Sequence, residues 1–188
     1  MDVMFLGVSK DYWEIINGFA NWLAAVGTIS AVVFSLRLAA KSSKRTAQLS
    51  VKLMLLAEIG VDHHPEHIMF SMVNTGDRVF HTDSIGWLFG KKEKQYFQQL
   101  FDRQMSSQMP LMQASGVAGK WIFNVQDGHW FSRMAHFLGD DWKKNIKTFK
   151  AIATTTTGEE FYAFPSQELL VKLRLACETR TATPVVHV

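Results

Sequence analysis

Residues 15–36 read IINGFANWLAAVGTISAVVFSL, 22 consecutive residues between Glu14 and Arg37 without a charge. Wound as an α-helix at about 1.5 Å per residue, the run is roughly 33 Å long, which matches a hydrocarbon core of about 30 Å. Buried helices of soluble proteins are usually shorter and seldom avoid charge over so many turns. The run therefore predicts a membrane-spanning helix over residues 15–37. A cleaved secretory signal fits less well. Its basic leader and apolar stretch of about 7–15 residues are replaced here by an acidic leader, MDVMFLGVSKDYWE, and a longer run.

Working outward, charge placement orients the span. Asp2, Asp11 and Glu14 precede it against Lys10, whereas Arg37, Lys41, Lys44 and Arg45 follow it. Basic flanks stay in the cytoplasm, so residues 1–14 are expected outside and the rest inside. Tyr12 and Trp13 suit the outer headgroup level, and Arg37 can snorkel to the inner one. The basic cluster also favours anionic lipids. Of the formal net charge of +3, the leader contributes −2, residues 37–45 contribute +4, and the remainder only +1. The basicity is thus largely a topology signal, and a polymeric nucleic-acid partner is not expected.

The span has an internal pattern. Asn17, Asn21, Ala24, Thr28, Ala31 and Ser35 follow alternating steps of four and three, so they share one stripe of small or polar side chains. Bulky residues such as Phe19, Trp22, Ile29 and Phe34 occupy the other faces. Small side chains let helices approach, and Asn or Thr can hydrogen-bond across the contact, so a homo-oligomeric seam is expected. No charge lies within the span to serve an ion or proton relay.

Beyond a basic juxtamembrane connector at 38–48, residues 49–178 suit one domain with a sizeable core, followed by a flexible tail at 179–188. The single cysteine, Cys177, excludes a disulfide within one chain and reads as a packed side chain. Strands are predicted at Leu49–Leu55, Ile68–Val73, within Val79–Phe89, and at Trp121–Val125. A turn falls at Asn74–Asp77, while Pro110, Gly116 and Gly119 punctuate a loop. A short helix is expected over Asp127–Leu138 with Asp127 as cap, then a long strand over Ile146–Thr157 that turns at Gly158 and pairs with Phe161–Phe164. Ser166 is placed to cap a final helix through Ala176, with Leu169, Leu170, Leu173 and Ala176 on one face. The expected fold is a single transmembrane α-helix plus a β-rich, β-sandwich-like soluble domain with peripheral helices.

Three segments carry a resemblance: NWLAAVGTISAVVFSLRLA, SMVNTGDRVFHTDSIGWLFG with its V-x-N-x-G-x-R and I-G-W patterns, and TTTTGEEFYAF. The layout resembles a broad, poorly characterised group of small bacterial inner-membrane proteins with one N-terminal span and a C-terminal cytoplasmic β-domain. The resemblance covers most of the chain. It implies architecture and a bacterial inner membrane, and no reaction. It places Asn74, Gly76 and Arg78 in one β-turn and Trp87 in the core.

Catalytic and cofactor signatures are sparse. His63, His64, Glu66 and His67 have the chemistry for zinc, but Pro65 breaks any helical face and no Cys pair or H-E-x-x-H accompanies them. A solvated turn is expected there, and no metal. His129 and His136 lie seven apart near Asp127, Asp140 and Asp141, without a nucleophile context. No phosphate-cradling glycine loop of the nucleotide-hydrolase or dinucleotide type is present, and no cofactor is expected. Two basic stretches remain. Lys91, Lys92 and Lys94 lie beside Tyr96 and Phe97; Lys143, Lys144, Lys147 and Lys150 are interleaved with Trp142 and Phe149. Together they are candidate contacts for an anionic ligand.

The expected function is a non-enzymatic membrane sensor or effector. Its cytoplasmic domain would bind a ligand or protein partner, and its helix would self-associate and perturb the membrane. Small defence proteins against phage share this plan, including effectors triggered by cyclic nucleotides, though the likeness is one of layout. The alternative is a passive adaptor or assembly subunit that localises a cytoplasmic partner.

Overall fold

The computed structural model describes residues 4–5, 8–42, 44–57, 64–91, 93–125 and 128–182, with the side chains of 12–40, 44–57, 64–91, 93–125 and 128–181 among them. Two compact units divide the chain, Met1–Lys44 and Arg45–Val188.

In the first unit, strands β1 (Met4–Phe5) and β2 (Val8–Ser9) pair antiparallel and lead into helix α1 (Lys10–Ser42). Within α1, Tyr12–Ala40 is long and apolar enough to cross a membrane. Its side chains from Glu14 to Ala40 are all exposed; Phe19, Trp22, Ile29, Phe34 and Leu36 are 62–70% so. Two hydroxyls are satisfied within the helix: Thr28 Oγ1 donates to the Ala24 carbonyl at 2.9 Å and Ser30 Oγ to that of Val26 at 2.8 Å. Such back-bonding lets hydroxyl residues sit in an apolar helix without an orphaned donor.

The second unit is β-rich, with two antiparallel sheets and further helices. Strands β3 (Ala47–Leu55), β4 (Glu66–Asn74), β5 (Phe80–Phe89), β6 (Gln95–Gln98), β7 (Leu111–Gln113) and β8 (Ala118–Asn124) come first. Helices α2 (His129–Leu138) and α3 (Trp142–Asn145) and a 3-10 turn at Ile146–Thr148 follow, then β9 (Lys150–Thr155), β10 (Glu160–Ala163) and helix α4 (Gln167–Ala182). One sheet runs β3-β4-β8. The other runs β10-β9-β5-β6, with β7 also on β5.

Alternation builds the core. Ile68, Phe70 and Met72 from β4 and Trp121 and Phe123 from β8 point inward. They meet β5, whose Trp87 ring sits edge-on to Phe70 at 4.9 Å and stacks on Phe149 at 4.9 Å. In β5 the inward parity changes from Phe80 and Thr82 to Ile85, Trp87 and Phe89. A bulge causes this: pairing with β9 steps from Thr82↔Thr155 to Ser84↔Thr154, leaving exposed Asp83 as the extra residue. The I-G-W pattern now has a physical account. Ile85 and Trp87 fill the core, and a Cβ on Gly86 would lie 2.2 Å from the Phe97 carbonyl oxygen of β6. Both Trp87 and Trp130 donate their indole N–H to Gln99 Oε1, at 3.0 and 3.1 Å.

The V-x-N-x-G-x-R segment does more than turn. Asn74 Oδ1 accepts the Gly76 N–H at 2.9 Å, while its Nδ2 donates to the Arg78 carbonyl at 2.8 Å and the Gln113 carbonyl at 2.9 Å. Gln113, fully buried, donates Nε2 to the carbonyls of Met72 and Val117 at 2.8 and 3.1 Å and accepts the Thr82 hydroxyl. One amide pair thus joins β4, β5 and β7.

Several local expectations are corrected. Ile146–Thr157 is not one strand: Ile146–Thr148 is helical, because the Asp141 carbonyl collects the Lys144 and Asn145 N–H groups and Thr148 Oγ1 donates to the Asn145 carbonyl. Gly119 is not in a loop but in β8, where Trp121 and Leu111 side chains fill the space of a Cβ. Ser166 does not cap α4 with its side chain, since its buried Oγ has no partner; its carbonyl takes the Leu170 N–H. Helix α4 runs on to Ala182, past the expected end of structure at Thr179. Its face is as predicted, with Leu169, Leu173 and Cys177 fully buried. The expected Asp127 cap lies outside the described residues, and α2 begins after Gly128 at φ 91°.

Candidate functional site

Strand register assembles the candidate site. Leu88 of β5 lies opposite Lys150 of β9, and Phe89 opposite Gln95 of β6. Gly90 and Lys91, which leave β5, and Glu93 and Lys94, which enter β6, therefore lie beside the segment 144–150 that leads into β9. On the far side of β9, Ala151 faces Ala163, which sets Phe164 against Lys150; its ammonium sits 4.9 Å from the Phe164 ring centroid.

A single hydroxyl fastens the two basic segments. Gly90, at φ 96°, closes β5 and donates its N–H to Thr148 Oγ1 at 3.0 Å. Thr148 Oγ1 in turn donates to the Asn145 carbonyl at 2.9 Å. A side chain at Gly90 would collide with the Glu93 carbonyl, 2.1 Å from an added Cβ. That position needs glycine for both its left-handed backbone and its clearance.

Two neighbouring hollows open around this join and share Gly90, Lys91, Lys147 and Thr148. The smaller, about 390 Å³, adds Lys94 and Lys150, with Tyr162 and Phe164 as an aromatic wall, and has no carboxylate in its lining. The larger, about 750 Å³, adds Lys144 together with Glu93, Asp141, Gln95 and Asn145. Asp141 holds Lys144 at 2.8 Å and so raises the Lys144 pKa, chiefly through that hydrogen bond. Lys91, Lys94 and Lys147 form no ion pair among the described residues and are exposed. The Tyr162 hydroxyl donates to Glu160, which pushes its pKa up to about 12 and keeps the phenol neutral beside the ammonium groups.

Of the sequence candidates, Lys91, Lys94, Lys144, Lys147 and Lys150 thus come together. Lys143 lines neither of these two hollows; it lies 5.6 Å over the Trp142 ring and lines a third, with Asp140 and Glu178, that meets the larger one at Asp141 and Lys144. Lys92 and His63 lie outside the described residues. His67 is not in a solvated turn but buried in β4, its Nδ1 2.9 Å from the Pro65 carbonyl, because the strand begins at Glu66 rather than after His67. His64 is half-buried. Among the described residues no group of three His, Cys, Asp or Glu side chains is placed to hold a metal. His129 and His136 are exposed on α2, and Asp140 and Asp141 are engaged by Arg180 and Lys144.

The residues assigned to the helix seam, Asn17, Asn21, Ala24, Thr28, Ala31 and Ser35, are exposed along α1, as is Arg37. The Lys41 side chain lies outside the described set, and Lys44 is exposed. Arg45 is held by the domain: it forms an ion pair with Glu159, and its Nε donates to the Val79 carbonyl at 3.5 Å.

No protein-family model matches the chain, and a search of curated proteins finds no match. Two solved structures show a weak likeness. One is the structural-genomics target SoR45, at 9% identity over 62% of this chain and 80% of that one, with a TM-score of 0.30. The other is a Bordetella pertussis protein designated ApaA, at 11% identity over 63% and 87%, also with a TM-score of 0.30.

Gly90, Thr148, Tyr162 and Phe164 were not among the sequence candidates. Gly90 carried a usable signal, as a glycine ending a strand just before a lysine run. Thr148 carried none, because it reads as part of a β-branched strand.

Proposed function

We propose that this protein is a non-enzymatic, single-pass sensor and effector of the bacterial inner membrane. Its N-terminus lies outside and its β-domain in the cytoplasm, where the domain binds a small anionic ligand or a protein partner. Copies meet along the Asn17–Ser35 stripe, and binding alters their packing and perturbs the membrane, as suits a role in phage defence. The observation that carries the reading is the meeting of two lysine segments, some fifty residues apart in sequence, at one pair of hollows. The exposed apolar length of α1 and the charge step across it support the membrane placement.

Expression in bacteria with a voltage-sensitive dye tests the effector role. The wild type should depolarise cells when triggered, and Ala24→Leu with Ala31→Leu should reduce both depolarisation and oligomer size on native gels. Oligomers of unchanged size would refute the seam. The passive-adaptor alternative draws on a different feature, the exposed Tyr96, Leu100 and Phe137 beside edge strand β6, which suit a protein partner. An adaptor leaves membrane potential untouched.

A further inference from the structure

We propose that the joined hollows bind a phosphate-bearing ligand whose phosphate sits in the smaller hollow and whose hydroxyl- or amino-bearing part sits in the larger. The inference rests on reading these hollows as the ligand-binding part of the domain, and it names the chemistry.

The argument starts from charge. Lys91, Lys94, Lys147 and Lys150 line a space of about 390 Å³ with no carboxylate among its lining residues. Ammonium groups gathered this way repel one another, and a monovalent anion offsets one of them. Phosphate groups carry more charge per volume and several acceptor oxygens, and lysine meets them as a compact point charge. The Tyr162 and Phe164 rings wall one side, and the Lys150 ammonium lies over the Phe164 ring.

The larger hollow is mixed in sign: it shares Lys91 and Lys147, and its Lys144 is paired with Asp141. Glu93 and Asp141 supply acceptors, and Gln95 and Asn145 supply both donors and acceptors. A lobe with three lysines set against two carboxylates holds phosphate less strongly than the all-lysine lobe and offers its acceptors to hydroxyl or amino groups. The two lobes therefore read a ligand with two ends. Thr148 is the positioning residue, since its hydroxyl ties the Gly90 turn to the 144–150 segment and sets the spacing of the lysines.

Titration calorimetry on the full chain in neutral phosphatidylcholine nanodiscs tests this with two probes, inorganic pyrophosphate and adenosine diphosphate. Pyrophosphate should bind saturably. Lys91→Ala with Lys147→Ala should weaken it at least tenfold, and Lys52→Ala, on the other sheet, less than twofold. Thr148→Val should give an intermediate loss with an unchanged near-UV dichroism spectrum. Adenosine diphosphate should bind at least about fivefold tighter than pyrophosphate, and Glu93→Gln should shrink that gain.

Discs containing phosphatidylglycerol separate the sources of phosphate. Unchanged pyrophosphate affinity assigns the site to a soluble phosphate ester, and a competitive loss that requires Lys147 assigns it to a lipid headgroup. Absence of pyrophosphate binding, or equal losses in the Lys52 variant, overturns the proposal; equal affinity for both probes overturns its two-ended form. Binding without depolarisation would keep this assignment and sink the effector reading, whereas stripe-dependent depolarisation without binding would do the reverse.

Discussion

Glu159 shows how a single side chain can hold a turn. It accepts hydrogen bonds from the Thr155 and Thr157 hydroxyls and pairs with Arg45, which together draw its pKa from 4.5 to about 2. A carboxylate with a depressed folded-state pKa adds stability above its unfolded pKa, and that stability is lost as pH falls through the folded value. Glu159→Gln should therefore cost about 1 kcal/mol near neutrality, the scale of a partly exposed contact. It should also flatten the acid limb between about pH 4.5 and 2, read from urea midpoints across that range. Gln113 is the buried counterpart. Gln113→Leu would strip the amide contacts from the Met72 and Val117 carbonyls and leave the Thr82 hydroxyl only the weak Met72 sulfur acceptor, at about 2 kcal/mol in urea unfolding.

Among elements, β5 organises the larger sheet, pairing with β6, β7 and β9. Gly86 is its point of closest approach to β6. Gly86→Ala should push the Phe97 carbonyl away, cost about 1–3 kcal/mol, and expose residues 90–100 to limited proteolysis. Long alternating segments such as Leu49–Leu55 and Ile68–Val73 were legible because their apolar period survives in the folded domain. The segment Ile146–Thr148 was not, because its β-branched composition is overruled by carbonyl partners at Asp141 and Asn145. The candidate site was half legible. Both lysine runs stood out, but their meeting depends on the Leu88↔Lys150 register, which no local pattern encodes.

At the scale of the whole molecule, the chain sets an exposed apolar helix before a domain whose core is dense in aromatic rings. At the rim of that core one amide oxygen, Gln99 Oε1, takes the indole N–H of both Trp87 and Trp130, whose ring centroids lie 5.2 Å apart. Indoles so close and so fixed couple their electronic transitions. The domain thus carries its own optical label: the part of its dichroism lost in Trp130→Phe belongs to this pair and reports whether β5 and α2 are docked, and Trp130 also borders the groove beside β6. Loosening of the sheet from the helix becomes visible as light absorption, without any dye attached to the chain.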